Sequence, residues 1–262
     1  MSLYDISGNE IISGGASSSD SPVSELQRKF KDKNVIWLGD SIHAYSSPDG
    51  VTIPYLFQYN TGSKCYNWCQ GGTTMALMDI ANYDAFSGVG MVDCLTSRDF
   101  TNQETHMSDR GFTTQVAEMK AFDFSKADYV IIELGTNDNI KLVDLDNKDD
   151  PLDTHTTGGA LRYMIKTLLT YNPKLNIALC NIQDGVEGRR NEGLELVYVS
   201  KDRNEIIKSV CDELNIPLID IFYLLGLNEY TKTTLTSDGL HRSHQGKLKQ
   251  AKLIENQMNY YF

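Results

Sequence analysis

The sequence predicts an α/β domain whose parallel sheet is covered by helices on both faces. Five apolar runs of strand length alternate with stretches of helical period, the pattern of repeated strand–helix units. The clearest run, ADYVIIELG at 127–135, is apolar on successive positions, as a strand buried on both faces requires. Glycine and short polar residues gather where these runs end, which is where an open α/β sheet places its ligands.

In chain order, residues 3–12 (LYDISGNEII) read as two short strands around a Ser-Gly-Asn turn. Residues 13–22 (SGGASSSDSP) have the composition of a flexible linker, so 1–22 is an appendage and 23–262 the domain. SELQRKFKDKN predicts a short helix leading into a first strand at Val35–Leu38, which empties into Gly39-Asp40-Ser41. His43 to Gly50 is turn-rich, and VTIPYLFQY carries enough apolar surface for a short helix or the wall of a site. Lys64–Trp68 is the second strand, ending in Gly71-Gly72, and 85–97 and 114–123 are amphipathic and helical.

The acidic stretch 139–156 follows the third strand. Asp144 and Asp146 are spaced like the start of a calcium loop, but the sixth position lacks glycine and the twelfth is His155, so a solvated loop is expected. A helix over 158–171 presents Leu161, Met164, Ile165, Leu168 and Leu169 on one face and stops at Pro173. LNIALCNI (175–182) is the fourth strand, and 183–197 a charged loop bearing Arg189 and Arg190. Asp202 with Glu205 resembles a capping box for a helix turning Ile206, Ile207, Val210, Cys211 and Leu214 inward. Ile216–Ile221 is the fifth strand, and a helix from Ser243 to Tyr261 buries Leu248, Ala251, Ile254 and Met258.

Bulk properties narrow the function. The net charge is −11 and no cluster of Lys and Arg stands out, so nucleic acid and anionic membrane are not expected partners. No run approaches a bilayer span, and the first thirty residues lack a secretory layout, so a cytoplasmic protein, or one released by a non-classical (phage-associated) route, is expected. The five cysteines are odd in number and lack metal-ligand spacing, which predicts reduced, mostly buried thiols and no metal site.

Ser41 follows strand 1, Gly72 strand 2 and Asn137 strand 3, and His241 precedes the last helix, so all four fall on one rim of the sheet. A serine after a strand commonly begins a helix, but a histidine able to take its proton would make it a nucleophile. His241 is that candidate, with Asp238 three residues earlier able to hold the other ring nitrogen. His43 is too close in sequence to fold back on Ser41 and is a candidate pocket residue; His244 reads as a cap or surface residue, and His106 and His155 as surface residues. A flavodoxin-like nucleotide binder is disfavoured, because no GxGxxG or Walker-type run accompanies Gly71-Gly72.

The four stretches GDS (39–41), NWCQGGTT (67–74), GTND (135–138) and DGLH (238–241) together resemble the SGNH (GDSL) hydrolase family over residues 34 to about 255. The resemblance implies a three-layer flavodoxin-like sandwich with a five-stranded parallel sheet in the order 2-1-3-4-5. It also implies a serine esterase with a Ser41-His241-Asp238 triad and no cofactor. Its oxyanion hole would be the backbone N–H groups of Ser41 and Gly72 and the Asn137 side chain, with Asp40 and Asp138 supporting. Gly72 is chosen over Gly71 because it lies five after Asn67, the family spacing. Arg242 stands where many relatives carry Pro, and Asn181-Ile182-Gln183 where many have Thr-Pro. The expected substrate is a short acyl ester, O-acetyl on a carbohydrate. The alternatives are a lysophospholipase or thioesterase of the same family, or a non-catalytic glycan-binding module on the same fold.

Overall fold

The computed structural model describes residues 29–45, 50–183 and 196–262. The hairpin and linker expected over 1–22, most of the helix expected over 24–34, and the loop bearing Arg189 and Arg190 lie outside the described residues.

Five parallel strands form one sheet in the order β2-β1-β3-β4-β5: β1 (Asn34–Gly39), β2 (Lys64–Asn67), β3 (Tyr129–Glu133), β4 (Asn176–Cys180) and β5 (Leu218–Ile219). The register pairs Val35 with Tyr129 and Gly39 with Glu133, so β1 and β3 end level with each other. Their alternation sorts the core into two layers. Ile36, Leu38, Val130, Ile132, Ile177 and Leu179 point to one face, and Val35, Trp37, Tyr129, Ile131, Ala178 and Cys180 to the other.

The first face is covered by α4 (Gly88–Ser97), α8 (Thr157–Tyr171) and α9 (Leu196–Leu214), the second by α2 (Ile53–Thr61) and α12 (His244–Tyr261). Short helices complete the described chain: α1 (Ser41–Ala44), α3 (Ala81–Asp84), α5 (Thr101–His106), α6 (Thr113–Ala121), α7 (Thr136–Ile140), α10 (Ile221–Leu224) and α11 (Lys232–Leu235). Side chains of Thr52, Ser87, Thr156 and Ser243 accept N–H bonds at the starts of α2, α4, α8 and α12.

Four expectations are corrected. Helix α9 begins at Leu196, so Asp202 lies inside it and is no cap. Leu248 is 46% exposed, because the inward face of α12 is partly polar: Lys247 and Gln250 are buried there with Ala251, Ile254 and Met258. Strand β5 is shorter than the apolar run 216–221. The acidic stretch opens as α7 and is not simply solvated, since Asp146 ion-pairs with Arg162, a residue 8% exposed. All five cysteines are free, and four are buried.

Candidate active site

The carboxyl ends of β1, β2 and β3 bring three of the predicted residues to one rim. Asp40 caps α1 by accepting from the Ile42 N–H (2.9 Å), which leaves Ser41 as the first helical residue. Its backbone N–H has no acceptor among the described residues, and its side chain sits at the helix N-terminus.

The histidine arrives from the far end of the chain. Gly239, at φ +84, turns the segment after Asp238, and Asp238 Oδ1 accepts the N–H groups of Leu240 (3.0 Å) and His241 (2.7 Å). An antiparallel bridge between Thr236 and Arg242 closes this loop. Asp238 Oδ2 then lies 2.7 Å from His241 Nδ1, and His241 Nε2 lies 2.9 Å from Ser41 Oγ. Burial opposes ionisation of Asp238, but the bonds from the His241 side chain and from the two N–H groups outweigh it and bring its pKa down to about 2.

Gly72 sits in a turn in which the Thr73 N–H donates to Gln70 O (3.3 Å), with φ +75, a conformation that favours glycine. Its own N–H has no acceptor among the described residues. Asn137, expected to supply the third donor of the hole, also has partners inside the fold. Its Nδ2 donates to Thr73 O (2.9 Å) and lies 3.4 Å from Asp40 Oδ2, so it holds the glycine turn as well as facing the site. Asp138 accepts from the N–H groups of Met75 (2.8 Å) and Ala76 (3.1 Å), bracing the same segment from below.

The other histidines do not enter. His43, a candidate pocket residue, is instead fully buried and presents no surface to a substrate, and burial pushes its pKa down to about 3, leaving it neutral. His244 is exposed at the start of α12, where Ser243 is the cap.

Sequence reasoning missed a buried ionic cluster beneath this rim. Arg242 Nε donates to Gln250 Oε1, whose Nε2 donates to Glu133 Oε2 (2.7 Å). His43 Nε2 lies 3.4 Å from the same oxygen without hydrogen-bond alignment, and since His43 is neutral the contact is no ion pair. Burial raises Glu133 to about 8 and Asp40 to about 6, while it lowers Arg242 to about 10. At neutral pH Arg242 and Asp40 therefore carry opposite charges, and Glu133 keeps its proton. The signal was present as a glutamate closing an otherwise apolar strand. Gln183, noted in the sequence only as a departure from the Thr-Pro of many relatives, donates to Leu240 O (2.7 Å) and tethers the His241 loop. Tyr45 was also missed: half its surface is exposed, and its ring centroid lies 5.7 Å from that of His241.

Among solved structures, the chain is similar to a protein from Lactobacillus plantarum (18% identity, 88% of this chain and 99% of that one, TM-score 0.66). It is also similar to a GDSL-like lipase from Bacteroides thetaiotaomicron (16% identity, 88% and 90%, TM-score 0.55). A third similar structure is Est24, a carbohydrate acetylesterase from Sinorhizobium meliloti (14% identity, 88% and 100%, TM-score 0.58). At such identities the likeness speaks for the fold. No curated protein matches the sequence. The model of the GDSL-like lipase/acylhydrolase family matches residues 37–248, a stretch that runs from the strand before Ser41 past His241 and takes in all four rim segments. With that match over most of its length, the chain belongs to the GDSL-like lipase/acylhydrolase family.

Proposed function

We propose that the protein is a serine esterase that removes short acyl groups, O-acetyl on a carbohydrate, through an acyl-enzyme. The observation that carries the reading is the hydrogen-bonded chain Asp238–His241–Ser41. Ser41 Oγ attacks the ester carbonyl while His241 Nε2 takes its proton, and ionised Asp238 stabilises the imidazolium and fixes the ring. The N–H groups of Ser41 and Gly72 receive the developing oxyanion, joined by the Asn137 Nδ2 hydrogen that leaves its long bond to Asp40 Oδ2 while the bond to Thr73 O is kept. His241 returns the proton to the departing alcohol. Water, deprotonated in the same way, then releases the acid and restores Ser41.

Two features support a small acyl group and a sugar. The apolar residues Ile53, Leu56 and Phe57 of α2 are buried in the core and so are not available to line a groove for a long chain. Each buried methylene is worth about 0.8 kcal/mol, so a long-chain enzyme would need such a groove. The exposed Tyr45 ring beside His241 offers a face on which a sugar can stack. Est24, named a carbohydrate acetylesterase, shares the fold.

The test is a p-nitrophenyl ester series from acetyl to octanoyl, acetate release from acetylated oligosaccharides, and fluorophosphonate labelling mapped by peptide mass. Labelling at Ser41 with acetyl preferred by about tenfold or more in kcat/KM is expected, a loss equivalent to roughly two unfavourable methylenes. Rates that climb with chain length would move the enzyme to the lysophospholipases or thioesterases. Sugar binding without turnover or labelling would leave a non-catalytic module.

A further inference from the structure

We propose that Arg110 is a positioning residue for the oxyanion hole, selecting the orientation in which the Gly72 N–H faces the substrate carbonyl. The inference rests on the serine-esterase reading and concerns a residue outside all four rim segments.

The argument starts from the turn. With Gly72 at φ +75 in the third position and the Thr73 N–H returning to Gln70 O, residues 70–73 have the form of a type II turn. Types I and II differ chiefly by a half-rotation of the central peptide, which exchanges the directions of its C=O and N–H while the flanking chain scarcely moves. Here that peptide joins Gly71 to Gly72. Glycine at both central positions removes the side-chain bias that would otherwise favour one form. An oxyanion donor placed on such a peptide needs something else to hold it.

Arg110 supplies the hold. Its Nη2 donates to Gly71 O at 2.7 Å, and its own backbone carbonyl accepts from Gln70 Nε2, so turn and arginine grip each other at two points. The guanidinium is kept in place on the Tyr83 ring, 4.1 Å from the centroid, and Lys141 Nζ lies 4.3 Å from the same centroid. Lys141 is four residues after Asn137, one helical turn on, so this cluster links the glycine turn to the segment bearing the third donor. The peptide joining Gly71 to Gly72 is trans, and in a trans peptide C=O and N–H point in opposite directions. Anchoring Gly71 O on Arg110 therefore turns the Gly72 N–H away from the arginine, where no described residue accepts it. A cationic donor on the carbonyl also polarises the amide and strengthens its N–H as a donor. Space is tight: a Cβ on Gly72 would lie 3.3 Å from Arg110 Nη2, and one on Gly71 would collide with the Tyr45 hydroxyl.

The experiment uses the full chain with Arg110→Ala, Arg110→Gln and Arg110→Lys, assayed on p-nitrophenyl acetate and titrated with a methyl trifluoromethyl ketone, which adds to the serine and needs the same hole. Losing a whole oxyanion donor costs about 10²–10³ in kcat, and releasing one to flip should cost about tenfold to a hundredfold. We expect Arg110→Ala to lose that factor in kcat, to bind the ketone more weakly by the same factor, and to keep KM within about twofold. Millimolar guanidinium should restore part of its rate. Arg110→Lys should retain most of the activity, and Arg110→Gln, which keeps a donor without the charge, should fall between. Unchanged kcat, a rise confined to KM, or lost activity with undiminished ketone affinity would each overturn the proposal. If wild type neither turns over the ester nor labels at Ser41, the serine-esterase reading falls, and the role of Arg110 with it.

Discussion

Replacing Glu133 by Gln should abolish a loss of stability that the wild type suffers between about pH 6.5 and 8. The carboxyl has a pKa of about 8 in the fold against 4.5 when solvated, because burial disfavours its charged form. The native state therefore holds a proton that the unfolded chain releases, and stability falls as pH rises through this interval. His43 works in the opposite direction but only below its solvated value of 6.5, since its native pKa is about 3. Asp40, raised from 3.8 to about 6, has nearly finished its own contribution by pH 6.5. The buried cysteines, raised above their solvated value of 9, add only a small loss toward pH 8, so Glu133 dominates this window and the difference between the two proteins isolates it. At a ceiling of about 1.4 kcal/mol per pH unit for one proton, the wild type should lose roughly 2 kcal/mol across it. Glutamine keeps the bond from Gln250 at one oxygen and cannot ionise. Its uncharged second group imposes at most a pH-independent offset. Urea unfolding at a series of pH values, followed by the fluorescence of the buried Trp37 and Trp68, gives both slopes. Equal slopes for the two proteins would refute a protonated Glu133.

Ser41→Ala and His241→Ala should each remove nearly all esterase activity, with the double variant losing little more, because the pair share one step; additive losses measured in kcat/KM would separate their roles. Asn137→Ala should lower kcat by about 10²–10³ with KM nearly unchanged, since its amide acts on charge present in the transition state; a change confined to KM would make it a substrate-binding residue. Activity should survive dialysis against a chelator, as the proposed nucleophile is a side chain; loss on chelation with recovery on adding a divalent ion would direct attention back to the acidic stretch at 144–153.

Most of the sheet was legible because its strands are buried on both faces and leave continuous apolar runs, whose ends mark the rim. Three short segments at those ends, and one just before the last helix, were enough to name the residues that the structure gathers around Ser41. Helix boundaries were less legible. Asp202 and Glu205 have capping-box identities, yet α9 starts at Leu196, so the local signal lay inside a helix already under way. On α12 the inward face could not be read from apolar period alone. Lys247 and Gln250 are buried because they have partners: Lys247 Nζ donates to the carbonyls of Tyr45 (2.7 Å) and Val51 (3.0 Å), and Gln250 to Glu133. Those partners stand more than a hundred residues away in sequence. Arg203 on α9 is a similar case, 1% exposed and donating to Asn139, Thr157 and the Val143 carbonyl.

Three acids near the rim sit in three different environments, and Asp238 is the one hydrogen-bonded to His241. Asp238 is 41% exposed at its side chain and accepts from His241 Nδ1 and from the N–H groups of Leu240 and His241, and with a pKa of about 2 it is ionised wherever the protein is folded near neutrality. Glu133 is sealed, receives one bond from a neutral amide, and stays protonated. Asp40 lies between, raised by burial and ionised above about pH 6, its charge favoured by the Ile42 N–H and then by His241 and Arg242. Environment thus divides three acids into one exposed charge against the imidazole, one buried charge favoured by a backbone N–H and by the positive groups of the His241-Arg242 segment, and one neutral group. The arginine follows His241 directly in the chain, so the loop that delivers the imidazole is anchored by the same residue that neutralises the floor of the site. A proline at that position would shape the turn, but it could neither bond to Gln250 nor offset Asp40. The floor under Ser41 would then have to be rebuilt without its charges.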